Sequence, residues 1–210
     1  MHSTTQVRHF INAHKILTPL IIIGLMFYYD FFGILAWVYL SLHGTYCLLW
    51  MIKESNYRDK RFEQNIHPLL GFIFVFCTLA GYWIAPFIII SNNMVAPNWL
   101  IALSITVTII GIFYHYVSDA HKHAVLNVKK GLITTGLFSR TRNPNYFGEM
   151  LIYSGFAMLA QDWIPLLPLV YWWTFFIRNM LKKDKSISRY PEYEEWKKKT
   201  GLLFPKVFVK

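Results

Sequence analysis

PLLGFIFVFCTLAGYWIAPFIIISNNMVAPNWLIALSITVTIIGIFYHYV, the stretch from Pro68 to Val117, contains no Asp, Glu, Lys or Arg. A helix needs about 20 apolar residues to cross about 30 Å of hydrocarbon. Two such runs are present, Pro68 to Ile90 and Trp99 to Val117, with the uncharged Ser91-Asn92-Asn93-Met94 between them. The reading is a pair of membrane helices joined by a short outer turn.

Working outward, the same pattern recurs on both sides. Ile16 to Tyr29 and Phe31 to Ile52 flank Asp30, and Tyr146 to Ala160 and Trp163 to Ile177 flank Gln161-Asp162. All 21 Lys and Arg residues fall in four windows outside these pairs: Arg8 to Lys15, Lys53 to Arg61, Lys122 to Arg142 and Arg178 to Lys210. With two helices in each gap, every basic window lies on one side of the bilayer, and the excess of positive charge marks that side as cytoplasmic. The expected fold is all-α: a polytopic membrane helical bundle of about six transmembrane helices with both termini cytoplasmic. The first and last pairs are short, and interfacial Tyr28, Tyr29, Trp163, Trp172 and Trp173 are placed to complete them.

Composition agrees, at 55% hydrophobic, 18% aromatic and 15% charged. The net charge of +10 sits beside the apolar runs. It therefore suits membrane lipids with anionic headgroups, or a phosphorylated cofactor, and not nucleic acid. Cys47 and Cys77 lie inside apolar runs and read as small core residues, not a disulfide or metal pair. No signal-peptide cleavage pattern precedes the first long apolar run, so that run is expected to stay as an anchor.

Three clusters carry chemistry. The densest is Gly136-Leu137-Phe138-Ser139-Arg140-Thr141-Arg142-Asn143-Pro144-Asn145-Tyr146-Phe147-Gly148-Glu149. Asn143 before Pro144 marks a helix start. Arg140 and Arg142 beside it suit an anion such as phosphate. Asn145 and Glu149 share a helix face, with Tyr146 beside them, and Gly148 allows close approach of a ligand or a second helix. A carboxylate one turn into a membrane helix is functional or paired, and the structural alternative is an ion pair with Arg142 or a C-terminal Lys.

The second cluster ends the fourth apolar run. His115, Asp119 and Lys122 fall at i, i+4 and i+7 on one helical stripe, which suits ribose hydroxyls or an amide; the bland alternative is a solvated helix end with an Asp–Lys pair. In the third, Arg178, Lys182, Lys185 and Arg189 make a basic stripe that lies on headgroups if it does not hold phosphate. Tyr190-Pro191-Glu192-Tyr193 then breaks the helix, and Glu192 to Lys199 restarts a short one. No Gly-x-Gly-x-x-Gly or phosphate-binding Gly-Lys loop occurs, no metal site is expected, and no internal repeat marks a transporter.

Ser118-Asp119, Gly136-Leu137-Phe138, Asn145-Tyr146-Phe147-Gly148-Glu149 and Tyr190-Pro191-Glu192-Tyr193 with Phe204-Pro205 together resemble the steroid 5-alpha-reductase C-terminal superfamily, and more narrowly its short steroid reductase-like membrane enzymes. The resemblance covers Gly111 to Phe208. It implies an NADPH pocket open to the cytoplasm and hydride transfer to an activated double bond of a lipid-like small molecule, such as a sterol, isoprenoid or fatty-acyl enone. Asn145 and Glu149 then hold the nicotinamide end, and Asp119 matches an acidic cofactor position. His115 stands where the steroid reductases carry Asn. Arg178, Lys182 and Tyr190 are the nearest candidates for the C-terminal cofactor contacts. Residues 1–110 are expected to form the substrate side and 111–210 the cofactor helices and cytoplasmic tail. The proton donor is not assigned; Tyr46, Tyr57, Tyr82 and His43 are in the right half, and His43 in mid-span suits a packed structural role.

Two other readings stay open. Isoprenylcysteine carboxyl and phospholipid methyltransferases, which use S-adenosylmethionine, carry a Gly-x-Tyr followed by Arg-His-Pro-x-Tyr, and Arg142-Asn143-Pro144-Asn145-Tyr146 partly matches that pattern. Against it, Asn143 replaces His, Phe138 replaces Tyr, and Lys182-Lys183-Asp184 stands where paired Glu is expected. The third reading is a non-catalytic membrane subunit that keeps the fold. The sequence selects neither a protein partner nor between an endoplasmic reticulum and a bacterial inner membrane.

Overall fold

The computed structural model describes residues 4–206. Four helices are long and apolar enough to cross a membrane: α1 (Val7–Tyr28), α2 (Ile34–Asn56), α3 (Pro68–Ser91) and α4 (Asn98–Val128). They are followed by α5 (Pro144–Leu159), α6 (Leu166–Ile187) and the short α7 (Tyr193–Lys199). A two-residue antiparallel ladder pairs β1 (Thr5–Gln6) with β2 (Asn65–Ile66), Thr5 facing Ile66.

The helices outrun the apolar segments at their polar ends. α1 begins at Val7, well before Ile16, so its 22 residues make a helix of about 33 Å. α4 has 31 residues, about 46 Å, and its surplus over the hydrocarbon thickness is the polar stretch after Val117. On α1 to α4 large apolar side chains stay exposed, among them Phe27, Trp37, Phe74 and Ile109. Helices apolar on their outer faces as well as their inner ones are suited to lipid, not water.

The three turns between paired helices close in one way. The non-glycine residues with positive φ among those described are Asp30 (49°), Asn93 (49°) and Gln161 (48°), one in each turn. A left-handed residue just past a helix lets the following amides reach back to orphan carbonyls. Asp30 and Phe31 donate to Phe27 and Met26, and Asn93 and Met94 donate to Ile90 and Ile89. Gln161 donates to Met158. Its side chain also donates to the Val95 carbonyl at 2.8 Å.

α3 is irregular. A π turn over Phe72–Cys77 and a 3-10 turn over Gly81–Trp83 interrupt it. Pro86 accounts for the second, because it lacks an amide hydrogen and crowds the carbonyl one turn back. In the first, the Thr78 hydroxyl donates to the Phe74 and Val75 carbonyls at 2.8 and 3.0 Å.

The described residues form two compact units, one of residues 4–105 and 155–168, the other of 106–154 and 169–206. The chain passes between units inside α4, α5 and α6.

The first unit has a polar interior. His14, Lys15, Thr18, His43 and Tyr46 are all buried to 2% exposure or less. Lys15, read from sequence as an edge charge, turns inward, with its ammonium 4.2 Å from the Tyr46 ring centre. Aromatic faces stabilise a cation that water no longer reaches. His43 stacks on Phe156 at 4.4 Å and lies 3.3 Å from the Tyr39 hydroxyl, a packed histidine as its mid-span position suggested. Cys47 is a core residue as expected, whereas Cys77 is exposed on the outer face of α3.

Candidate functional site

In the second unit α4 and α5 cross on glycine. A Cβ on Gly111 would sit 2.7 Å from the Gly148 carbonyl oxygen and 2.8 Å from the Ile152 amide, and one on Gly148 would strike the His115 backbone. Two backbones approach this closely only where neither carries a side chain. Gly148 thus serves a neighbouring helix, one of the two uses its position allowed.

The crossing brings together part of the expected constellation. His115, 3% exposed, has Nδ1 3.2 Å from the Asn145 carbonyl oxygen. A carbonyl only accepts, so Nδ1 carries the proton. Asp119 lies one turn further along α4 and is buried. Asn145 and Glu149, one turn apart on α5, are half-buried. The Tyr146 ring instead enters an apolar cluster with Met150, Phe176 and Met180, its centroid 5.0 Å from that of Phe176.

Arg142 is committed elsewhere. Its Nε donates to both Asp184 carboxylate oxygens at 3.0 Å, and a terminal nitrogen donates to the Thr200 carbonyl at 3.0 Å. The surrounding bonds make a knot. Lys183 Nζ donates to the Arg142 carbonyl at 2.8 Å and to Asn143 Oδ1 at 3.0 Å. Asn143 Nδ2 donates to the Leu202 carbonyl and the Thr141 hydroxyl to the Leu203 carbonyl, both at 2.8 Å. Trp196 Nε1 donates to the Phe138 carbonyl at 2.8 Å. These bonds tie the loop before α5 to the end of α6 and the segment after α7. Arg142 is therefore a buried structural cation and not an open phosphate ligand.

Beside this knot Tyr193 is buried. Burial first, and then the Asp184 carboxylate, push its hydroxyl above the ordinary phenol value of 10.0. On α7 the exposed Glu195 is held below the usual carboxylate range by its hydrogen bond to Lys199.

The remaining predicted residues lie at the surface. Arg140, Arg178 and Lys182 are exposed, and Lys122 and Tyr190 are half-buried. The Arg189 guanidinium carbon lies 5.2 Å from the Tyr190 ring centre. Among the described residues, then, His115 and Asn145 meet directly, with Asp119 and Glu149 each one turn from that contact. Arg178 and Lys182 lie on the outward face of α6, opposite buried Phe176 and Met180.

The sequence alone does not single out Asp184 and Lys183 as partners of the loop before α5. The only signal for Asp184 was its being the single acid in the basic stretch from Arg178 to Arg189. Its partner Arg142 is 42 residues away, beyond any helical spacing rule.

Fold and site define a helical protein with four helices fit to cross a membrane and a close, glycine-lined crossing that seats His115 against Asn145. The chain belongs to the family described as a protein of unknown function (DUF1295), whose pattern matches residues 34–200. It is also 28% identical over 93 residues to the Uncharacterized protein C594.04c of Schizosaccharomyces pombe (strain 972 / ATCC 24843). That match covers 41% of this chain and 27% of the yeast protein.

Proposed function

We propose that the protein is a multi-pass integral membrane enzyme that uses NADPH to reduce an activated double bond of a lipid, a sterol, isoprenoid or fatty-acyl enone. The observation that carries the proposal is the glycine crossing of α4 and α5, which seats His115 against Asn145 and holds Asp119 and Glu149 a turn away on either side. A buried Asp119, half-buried Asn145, Glu149 and Lys122, and an exposed Arg140 fit a ligand with a polar, hydrogen-bonding body and phosphates at one end. The resemblance to the steroid 5-alpha-reductase C-terminal superfamily supports the same reading.

NADPH, when bound, supplies a hydride. The chain's own residues bind and orient. His115, with its proton on Nδ1, fixes the first turn of α5 and so the direction of Asn145 and Glu149. The Arg142–Asp184 pair fixes the loop that enters that helix. Arg178, Lys182 and Tyr190 are left outside this set, since their place on α6 and after it supports another role for the two cations. In the membrane we propose six crossings, α5 and α6 being the last two, with both termini on the cytoplasmic side. α5, with 16 residues or about 24 Å, needs its turn residues or a thinner bilayer to complete its crossing.

The test is isotopic. The reconstituted protein is incubated with a total lipid extract and NADPH deuterated at the transferable position. Deuterium in a lipid product is expected. A lipid pool without deuterium, together with label from methyl-labelled S-adenosylmethionine in a parallel reaction, would replace reduction by methyl transfer.

A further inference from the structure

α6 divides cleanly into two faces. Leu169, Phe176 and Met180 are buried, Trp172 and Trp173 pack against the cluster that holds Phe176 and Met180, and Ile187 packs against Phe138, Tyr193 and Trp196. Lys183 and Asp184 continue that inward side and are consumed by the knot at Arg142.

The opposite face changes chemistry along its length. Tyr171 (52% exposed) and Phe175 (49%) come first, and then Arg178, Lys182 and Lys185, all exposed, follow at i+3, i+7 and i+10 from Phe175. Leu181 is 54% exposed beside them. Among the described residues none of these three cations makes an ion pair. An outward stripe that passes from aromatic to cationic within one turn matches the passage from acyl chains to headgroups, where aromatic rings sit at the boundary and Lys and Arg meet lipid phosphate.

We propose that Arg178, Lys182 and Lys185 form a docking surface for anionic phospholipid headgroups of the bilayer in which the protein sits. Arg178 marks the depth of the interface on α6. The division of labour is by face: inward cations hold the fold, outward ones hold lipid. This rests on the membrane-spanning reading and not on the identity of the cofactor.

Native mass spectrometry of the full chain, purified in detergent with equal amounts of phosphatidylglycerol and phosphatidylcholine, tests it. Wild type is expected to retain phosphatidylglycerol preferentially. Replacing all three cations by Gln should reduce that preference about fivefold or more, from the attraction each basic residue has for an anionic surface. Exchange of both lysines for Arg should keep it, as should Lys129→Gln with Lys130→Gln. A triple variant with wild-type lipid preference would overturn the proposal. So would a triple variant that loses NADPH affinity together with displacement of the retained lipid by inorganic phosphate, since the cations would then belong to a phosphate pocket. If wild type binds no NADPH yet keeps its lipid preference, the reductase reading fails and the lipid surface stands.

Discussion

Arg142 and Glu149 look alike in the sequence, each a charge near the start of α5, and the structure separates them. Arg142 is 7% exposed and bound through its guanidinium to Asp184 and Thr200. Removing one partner of a buried pair leaves the other uncompensated, so Arg142→Ala should destabilise by roughly 3–5 kcal/mol. Thermal unfolding of Arg142→Ala, Asp184→Ala and the double variant measures it, and additive losses would show that the pair is not coupled. Among the described residues the Glu149 side chain takes part in no such ion pair. Glu149→Gln is expected to keep the melting temperature and weaken NADPH binding about tenfold or more, the scale of a hydrogen bond to a charged group. Unchanged affinity would remove it from the site. Tyr193 gives a pH signature. Its folded value lies above the ordinary 10.0, so the folded state holds the proton more tightly. Stability is full below pH 10.0 and falls as pH rises through the folded value. Tyr193→Phe should flatten that alkaline loss in a series of melting curves.

At the level of elements, glycine positions discriminate. Gly148→Ala drives a methyl into the His115 backbone and should destabilise by about 1–3 kcal/mol while loosening the His115–Asn145 contact. Gly24→Ala on α1 meets nothing within 4 Å and is expected to be neutral or slightly stabilising. Equal losses in the two variants would contradict the close crossing. Much of the element order was legible in the sequence, because about 20 apolar residues admit few structures but a membrane helix. The three turns between paired helices were legible too, and each holds one left-handed residue, Asp30, Asn93 or Gln161. The breaks in α3 were not legible, since hydropathy records burial and not hydrogen-bond register. Nor was Lys15: a lysine at the end of an apolar run looks like an edge charge until the ring of Tyr46, on another helix, is seen beneath its ammonium. For the candidate site, the α4 and α5 residues could be read because spacing along one helix fixes a face. The Arg142–Asp184 bond could not, because tertiary contact alone makes it.

At the scale of the whole molecule, the reading joins four helices fit to cross a membrane, a family of undefined activity and one buried polar crossing. The proposed six-crossing arrangement makes a prediction of its own. A reporter fused after Lys210 and one fused before Met1 should both report the cytoplasm, whereas opposite sides would require an odd number of crossings. The central claim concerns the nucleotide. Calorimetric titration of the detergent-purified protein with NADPH and, in parallel, with S-adenosylmethionine tests it most directly. Saturable binding of NADPH is expected, weakened about tenfold or more in Glu149→Gln, and none of S-adenosylmethionine. Binding of S-adenosylmethionine alone would contradict it in favour of methyl transfer, and binding of neither would contradict it in favour of a non-catalytic subunit.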